Sequence, residues 1–268
     1  MIVRPDALAR VGHSPVVRRL YDHPRIAALA RTAVNRVVPE HPVQVRVAQG
    51  PLRGVHLCLN LRREKAFWLG VYETWVQGLM CEILKDGGRV WDVGANFGYH
   101  TLLMCKLCDP RNVLAIEPDP SNQRRLGENL RLNHFEETSI VTSAVGAAPA
   151  RAFLRRHPSD PGQSVIGALG EIEVEITTLD LLLNMHAPPD LIKVDVEGAE
   201  NLMMRGAARL LRDVRPAWIL EVHGERGEEA VQLLRSHGYD LRGFGKGHEF
   251  AAHFPVGGPK HVFAEPCR

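Results

Sequence analysis

The chain has 268 residues, of which 45% are hydrophobic and 24% are charged, and these fractions are typical of globular proteins rather than disordered or fibrous ones. Its net charge is +2, and no apolar run approaches the roughly 18 residues that a membrane span requires. The N-terminus lacks the apolar core of a secretory signal, so we expect a soluble, cytoplasmic protein.

The charge is distributed unevenly along the chain. Residues 1–63 hold eleven Arg and three acids, a net charge of +8, which leaves −6 on the remainder. We predict a basic helical extension over 1–42 and a main domain over 43–268, divided into a hairpin and helix (43–88) and an alternating α/β core (89–268). The extension is either a solvated helix pair or a peripheral membrane contact. Its few aromatic residues argue against nucleic acid as a partner.

Hydrophobic spacing predicts the first elements. Apolar residues recur at helical intervals over 5–37, which predicts one or two helices. Alternation over 43–47 and 55–61, with glycines between, predicts a hairpin. Residues 71–85 are predicted to form a helix that ends at a glycine pair.

A regular alternation of strands and helices begins at residue 90. The predicted strands cover 90–93, 113–116, 139–143, 191–194 and 217–222, and the predicted helices run to about 108 and over 121–133, 199–211 and 227–237. Pro, Gly, Arg and Ser predict a loop over 149–170 that contains at most one short strand. Period-two alternation predicts an edge strand over 171–177, and 239–264 resembles an antiparallel pair joined by a Gly-rich turn. The alternation predicts an α/β fold, with a mostly parallel sheet covered by helices on both faces.

The strongest motif is the turn Asp92-Val-Gly94-Ala95-Asn96-Phe-Gly98-Tyr99, which joins a buried strand to a helix start. Glycines there let the backbone approach a ligand closely. Asn96 departs from the dinucleotide-binding pattern. A carboxylate at Asp92 would repel a pyrophosphate, and it would favour a cationic ligand such as an ammonium or a sulfonium.

Glu117 supplies a second acidic position, 23 residues after Gly94 and at the end of the next predicted strand. A carboxylate at this place can accept hydrogen bonds from both ribose hydroxyls. Asp92 and Glu117 together predict a nucleoside that carries a positively charged amino acid, namely S-adenosylmethionine. A plain tight turn is the alternative explanation.

Several segments together resemble the FkbM family of class I S-adenosylmethionine-dependent methyltransferases, over about residues 43–225. They are Leu69–Glu73, the turn that begins at Asp92, Glu117–Pro120, Thr178–Asp180, Pro189–Glu200 and Glu221–His223. The resemblance implies a Rossmann-like, seven-stranded, mostly parallel sheet whose C-terminal strand pair is antiparallel. It also implies methyl transfer to a hydroxyl on a sugar, a glycan or a natural product.

The resemblance also implies roles for individual residues. The turn would contact the methionine end of S-adenosylmethionine, with Tyr72 and Glu73 lying over it, and Glu117 would hold the ribose. Pro118 and Asp119 would flank the adenine, with Ser143 and Ala144 at its edge. The implied cofactor-binding residues are Tyr72, Glu73, Asp92, Gly94, Ala95, Asn96, Gly98, Tyr99, Glu117, Pro118, Asp119, Ser143, Ala144 and Asp195.

A second polar cluster follows the next two predicted core strands. Lys193, Asp195 and Glu197 alternate and so share one face, and Glu221 and His223 repeat the pattern. His223 is the first candidate for general base, because an unperturbed pKa near 6.5 suits neutral pH, and a structural imidazole is the alternative. Asp195 is the second candidate, and it could equally orient the substrate hydroxyl or bind the methionine ammonium. Glu197 would orient a reacting group, and Lys193 would neutralise the cluster.

Two further predictions concern the same cluster, one on Glu200 and one on a metal ion. Glu200 is expected to act at a helix start rather than in the chemistry. The ligand types would also suit a divalent cation, but nothing in the sequence fixes their geometry, so no metal is predicted.

Two other functions remain open. An NAD-dependent oxidoreductase agrees with Glu117, although Asp92, Asn96 and the cluster after Pro189 are not typical of that class. The second alternative function is that of a non-catalytic scaffold, which would use the basic extension at a membrane surface. Residues 157–167 form either a lid over the reacting centre or a plain surface loop.

Overall fold

The computed structural model of the protein describes residues 38–156, 164–244 and 261–267. The helices predicted over 5–37 lie outside this part of the chain, as do nearly all of the predicted basic extension and residues 157–163 of the predicted lid. Within the described residues, no helix is long and apolar enough to cross a bilayer.

The helices of the described residues are α1 (Lys65–Leu69), α2 (Thr74–Ile83), α3 (Tyr99–Leu107), α4 (Pro120–Leu132), α5 (Leu179–Leu182), α6 (Glu200–Arg205) and α7 (Gly224–Ser236), with a 3-10 turn at Pro110–Asn112 and a π turn at Leu210–Val214. The strands are β1 (Val43–Arg46), β2 (His56–Leu59), β3 (Val90–Val93), β4 (Val113–Ile116), β5 (Ser139–Val141), β6 (Ala144–Val145), β7 (Ala150–Arg156), β8 (Ser164–Gly167), β9 (Ile172–Thr177), β10 (Leu191–Val194), β11 (Ala217–Glu221), β12 (Tyr239–Phe244) and β13 (His261–Pro266).

A seven-stranded sheet in the order β12-β13-β11-β10-β3-β4-β5 forms the centre of the fold. The strands from β11 to β5 pair in parallel, whereas β13 runs antiparallel to both of its neighbours, β11 and β12. This confirms the predicted α/β class, the seven-stranded mostly parallel sheet and its antiparallel C-terminal pair. The carboxyl ends of β3, β4 and β10 are adjacent, so their following loops meet at one edge of the sheet.

Both faces of the central sheet are covered, as predicted. Val90 and Leu191 pack into one apolar core with α2, α3 and the hairpin, while Trp91 and Ile192, one residue further on, pack into a second core with α6 and α7. Successive side chains of a strand point to opposite faces, so strands buried on both sides are nearly continuous apolar runs.

The β1–β2 hairpin is confirmed and pairs residues 43–46 with 56–59. Its second strand docks on α4, because the backbone N–H groups of His56 and Cys58 donate to the side-chain oxygens of Asn133 and Asn129, each at 2.8 Å. The two asparagine side chains thus accept hydrogen bonds from backbone N–H groups at the edge of β2, which would otherwise have no partner. The hairpin is thereby fixed beside the central sheet.

Residues 149–170, predicted as a loop with at most one short strand, contain two strands. Strands β7 and β8 lie there, in a second sheet of order β6-β9-β7-β8, and β9 lies inside that sheet rather than at the edge of the main one. Leu154 and Val174 are its buried centre, and Arg151 and Arg155 are exposed on the opposite side of β7. Few large apolar residues face its small core, so the strand pattern was weak in the sequence.

Two helix predictions also need correction. The helix predicted over 199–211 is the short α6, and a tight approach at Gly206 follows it, where a Cβ would lie 2.1 Å from the carbonyl oxygen of Gly146. The helix predicted over 71–85 begins later, at Thr74, and a separate helix, α1, precedes it. Gly70, with φ of +69°, separates the two.

Candidate functional site

A cavity of about 1100 Å³ opens at the carboxyl ends of the central strands. Residues from four strand ends line it: Gly94 and Asn96 after β3, Glu117 and Pro118 after β4, Ser143 and Ala144 after β5, and Asp195 and Glu197 after β10. Tyr72, from the segment before α2, also lines the cavity. The structure therefore brings nine of the predicted site residues to one surface.

The turn after β3 requires glycine at two positions. Gly94 has φ of +80°, and a Cβ there would lie 1.8 Å from the carbonyl oxygen of Asp195. Gly98 has φ of +93°, and a Cβ there would lie 2.5 Å from Cδ1 of Leu126. Asn96, with φ of +52°, takes a left-handed conformation that asparagine tolerates. The glycines thus allow the β3 turn to press against the loop after β10.

We expect Gly94→Ala to destabilise the protein by about 3 kcal/mol, since the left-handed backbone and the contact with the Asp195 carbonyl both penalise a methyl group. A thermal melt should show a fall of about 10 °C. Gly127→Ala is the matched control, because Gly127 lies inside α4 with no atom near its missing Cβ. It should stabilise the helix by roughly 0.5–1 kcal/mol. Equal melting temperatures for the two variants would contradict this account of the turn.

Glu117 is a buried carboxylate at the cavity wall. Its Oε2 accepts from the backbone N–H of Asn96 at 2.7 Å, and its Oε1 accepts from the N–H of Asp119 at 2.9 Å and from Asn122 Nδ2 at 3.3 Å. Burial raises the pKa of Glu117 to about 7, against the effect of these donors. A ligand that donates further hydrogen bonds would hold this group in its ionised form.

Asp92 lies behind the turn rather than at the cavity wall. Its side chain is fully buried, Thr101 Oγ1 donates to its Oδ2 at 2.6 Å, and Lys193 Nζ lies 3.6 Å from its Oδ1. This carboxylate does not line the cavity, so its expected contact with a cationic ligand stays a prediction. Asp195 and Glu197 instead supply the negative charge at the wall.

Other predicted cofactor residues also do not line the cavity: Glu73, Ala95, Gly98, Tyr99 and Asp119. The buried Tyr99 hydroxyl accepts from Gln77 Nε2 at 3.2 Å, which is a structural role. Asp119 caps α4 through Ser121 N–H at 2.7 Å, and Arg156 of β7 donates to both of its carboxylate oxygens, at 2.5 and 2.7 Å. That bidentate pair ties the second sheet to the loop after β4.

Glu73 lies between two buried histidines, an arrangement that sequence reasoning did not anticipate. Its carboxylate oxygens lie 3.6 Å from Nε2 of His100 and 3.6 Å from Nε2 of His261. Burial alone would raise the pKa of Glu73, but the hydrogen bond from His261 and the nearby charges, including that of Lys193, hold it at about 2. His100 follows the motif turn and was within reach of prediction, whereas no sequence signal links His261, on the last strand, to this place.

His223 lies between several carboxylates. Its Nδ1 donates to Glu200 Oε1 at 2.6 Å, and its Nε2 lies 3.5 Å from Glu221 Oε1 and 3.7 Å from Glu197 Oε2. The hydrogen bonds to Glu200 and Glu221 raise the pKa of His223 to about 10. This differs from the expected value near 6.5. An imidazole with this pKa holds its proton at neutral pH, and its positive charge lies among the three carboxylates.

Glu200 combines the expected helix-start position with an unexpected partner. It is the first residue of α6 and is fully buried, and besides His223 its Oε1 accepts from the N–H of Gly198 at 3.1 Å. A buried carboxylate that accepts from one imidazole nitrogen fixes the direction of the other nitrogen.

We expect Glu200→Gln to lower the pKa of His223 from about 10 to below about 9, because the neutral amide no longer stabilises the imidazolium. A titration of the His223 ring signals by NMR measures this directly. Glu228→Gln, at an exposed position of α7, is the control and should leave the value unchanged. A His223 pKa that stays at about 10 in the Glu200 variant would assign the shift to the other carboxylates.

Asp195, like Glu117, both lines the cavity and has a perturbed pKa. Burial raises the pKa of Asp195, while Lys193, whose Nζ lies 3.5 Å from Oδ2, acts in the opposite direction. The charge of Asp195 in turn helps to raise the pKa of Lys193 despite its burial, so the lysine stays protonated. A carboxyl group of this kind, with access to the cavity, is suited to accept a proton near neutral pH.

Two sets of side chains have ligand types that suit a divalent cation, with their ligand atoms within 4.8 Å of one another: Glu73, Glu221 and His261, and Asp195, Glu197 and His223. In the first set, Trp75 Nε1 donates to His261 Nδ1 at 3.3 Å, which leaves the proton of a neutral ring on Nε2, facing the carboxylates. In the second set, His223 is protonated. Both imidazoles therefore present N–H groups to their carboxylate neighbours rather than lone pairs.

Comparison with known proteins identifies the family to which this chain belongs. The Methyltransferase FkbM domain matches residues 92–241, which is more than half of the chain and includes the β3 turn, Glu117 and the cluster around Asp195. The chain belongs to the FkbM methyltransferase family. The match ends before β13 and begins after α2, so Tyr72 and the hairpin side of the cavity lie outside it.

Individual relatives extend this finding. Hexuronic acid methyltransferase AglP of Haloferax volcanii is 28% identical over 162 residues, which cover 58% of this chain and 65% of AglP, slightly less than two thirds of its length. Methyltransferase 1 of Beauveria bassiana is 26% identical over 182 residues, 58% of this chain and 73% of that one. The FkbM structure from Methylobacillus flagellatus aligns with a TM-score of 0.47 at 17% identity, covering 78% of this chain and 56% of that one.

Proposed function

We propose that this FkbM-family chain is an S-adenosylmethionine-dependent O-methyltransferase that acts on a hydroxyl of a sugar, a glycan or a natural product. The observation that carries the proposal is the placement of Glu117, the Gly94 turn and Asp195 around one cavity at the carboxyl edge of the sheet. This is where open α/β sheets bind ligands. A cytoplasmic location and a peripheral membrane contact of the basic extension stay predictions.

The cavity fits the chemistry of S-adenosylmethionine at both ends. The buried Glu117 carboxylate can accept from two ribose hydroxyls, beside Pro118 and Ser143, where an adenine would lie. Gly94 lines the cavity and lets the turn pack against the backbone of Asp195, which brings both segments to the same ligand surface. Asp195 and Glu197 supply negative charge for the ammonium and the sulfonium. Asp92 supports this arrangement from behind, through Lys193.

When bound, S-adenosylmethionine supplies a methyl group activated by its positive sulfur. The chain has to align an acceptor oxygen with that methyl group and remove the hydroxyl proton, and alignment alone contributes several kcal/mol. Asp195 takes the proton in this proposal, because it reaches the cavity and burial shifts its pKa toward neutrality. His223 stabilises the neighbouring carboxylates, and Lys193 keeps Asp195 ionised until the proton arrives.

The relative AglP, named as a hexuronic acid methyltransferase, supports a sugar as the acceptor. The cavity is also lined by the aromatic residues Phe67, Tyr72 and Phe97, whose rings contact one another through Phe67. Aromatic rings of this kind pack well against the apolar faces of sugar rings.

Calorimetry with two ligands separates the proposal from an NAD-dependent oxidoreductase. We expect S-adenosylhomocysteine to bind with a micromolar dissociation constant and NAD to bind at least about 100-fold more weakly, because an acidic wall disfavours a pyrophosphate. Transfer of labelled methyl groups to a panel of methyl glycosides then tests the reaction. Preferential binding of NAD would contradict the proposal. Binding of S-adenosylhomocysteine without methyl transfer to any hydroxyl acceptor would support the proposed cofactor and contradict the proposed acceptor.

A further inference from the structure

The same cavity is also lined by basic residues. Residues that follow β2 and residues of α4 form this part of the lining, and three of them are arginines, Arg63, Arg124 and Arg125. Two acids, Glu64 and Glu128, lie among them, so this part of the lining carries a net charge of +1. A cavity lined by carboxylates and by an excess of arginine in different segments is suited to two ligand groups of opposite charge.

An ion pair joins the two elements that carry these arginines. Arg125 Nη2 donates to both carboxylate oxygens of Glu64 at 2.8 Å, and its guanidinium stacks on Phe97 with 4.5 Å between Cζ and the ring centroid. Arg125 is thereby neutralised and held in place. Arg63 precedes Glu64 in the chain, and Arg124 precedes Arg125. The ion pair therefore brings the backbones of Arg63 and Arg124 close to each other.

The other two guanidiniums have no such partner. Within the described part of the chain, neither Arg63 nor Arg124 forms an ion pair, although both line the cavity. Glu128, the remaining acid of this part of the lining, is in contact with the thiol of Cys58, whose pKa is raised by burial and then by that carboxylate. Arg63 and Arg124 are exposed arginines without an ion-pair partner among the described residues, and they line the same cavity as the proposed reacting groups.

We propose that Arg63 and Arg124 bind an anionic oxygen group of the acceptor, a carboxylate or a phosphate. This proposal rests on the proposed methyltransferase function and names a substrate class for it. Guanidiniums bind carboxylates and phosphates through paired, charge-assisted hydrogen bonds, so they select an anion over a neutral group. The aromatic residues Phe67, Tyr72 and Phe97 of the same cavity pack the ring that joins the anion to the reacting hydroxyl.

The test uses three probe ligands on protein saturated with S-adenosylhomocysteine, followed by ligand-observed NMR. They are methyl β-D-glucuronide, glucose 1-phosphate and the neutral methyl β-D-glucoside. We expect at least one anionic probe to bind about 10-fold or more tightly than the glucoside. The doubly substituted protein, Arg63→Gln with Arg124→Gln, should lose that preference and bind all three alike. A preference confined to the glucuronide assigns a carboxylate, and one confined to glucose 1-phosphate assigns a phosphate.

Arg131→Gln is the matched control, because Arg131 is exposed on α4 and does not line the cavity. It should behave as the unmodified chain does, and the affinity for S-adenosylhomocysteine should stay within about twofold in every variant. Anionic probes that bind no tighter than the glucoside, or a preference that survives the double substitution, would overturn the anion site. Saturating the protein with S-adenosylhomocysteine tests the methyltransferase proposal separately. If that proposal fails, S-adenosylhomocysteine does not bind, and this is seen before any acceptor probe is added.

Discussion

Replacing Glu117 with Gln is expected to weaken the binding of S-adenosylhomocysteine by about 100-fold at pH 8. The carboxylate of Glu117 lies at the cavity wall, and the ribose of the ligand would donate two hydrogen bonds to it. Two hydrogen bonds to a charged group contribute roughly 3 kcal/mol, which corresponds to that loss of affinity. Glu137→Gln is the control, because Glu137 is exposed beyond α4, and it should bind as the unmodified chain does.

The pH dependence of the same titration gives a sharper test. Burial raises the pKa of Glu117 to about 7 in the free protein, and ribose hydroxyls donate to its ionised form. The affinity should therefore be constant above about pH 8 and fall as the pH is lowered through 7, by up to about tenfold for each pH unit below that value. The Glu117→Gln variant should show no such fall. A profile of the unmodified chain that is flat between pH 8 and pH 6 would remove Glu117 from the ribose contact.

Replacing Asp195 with Asn is expected to lower kcat for methyl transfer by about 10² to 10⁴, the range by which general bases contribute to catalysis. The amide has nearly the same shape but cannot take the hydroxyl proton. The backbone carbonyl that Gly94 approaches is retained, so the turn after β3 should be intact. Asp86→Asn, an exposed substitution after α2, is the control and should keep full activity.

The pH–rate profile distinguishes Asp195 from His223 as the base. With Asp195, the rate rises as the pH increases through a pKa that burial places above the ordinary value of the carboxyl group, and it levels off near neutrality. With His223, the rate would continue to rise toward pH 10, where the imidazole loses its proton. A rise to pH 10, together with near-normal activity of the Asp195 variant, would transfer the base role to His223.

Local signals were sufficient to predict much of the site. The turn after β3, Glu117 at the next strand end and the Asp195 segment are each short motifs at strand ends, and adjacent parallel strands bring such positions together. The hairpin was predicted from alternation and glycine placement in the same way. Asp92 shows the limit of this reasoning, because its strand position was correct while its carboxylate lies behind the turn with Thr101 and Lys193.

What could not be predicted depends on contacts between distant segments. The pKa of His223 follows from Glu200 and Glu221, which belong to different elements, and a single sequence does not show how closely they approach. Glu73 is held by His261, which lies on the final strand of the sheet. The second sheet was missed because it has a small core, so its strands lack the continuous apolar pattern of the central ones.

A crystal structure of the chain with S-adenosylhomocysteine would show where the cofactor binds. We expect density in the cavity at the carboxyl edge of the sheet, with both ribose hydroxyls within hydrogen-bonding distance of Glu117 and the amino-acid end beside Gly94 and Asp195. Density for the ligand at another place on the protein, or a cavity that contains only solvent at saturating ligand, would contradict this expectation.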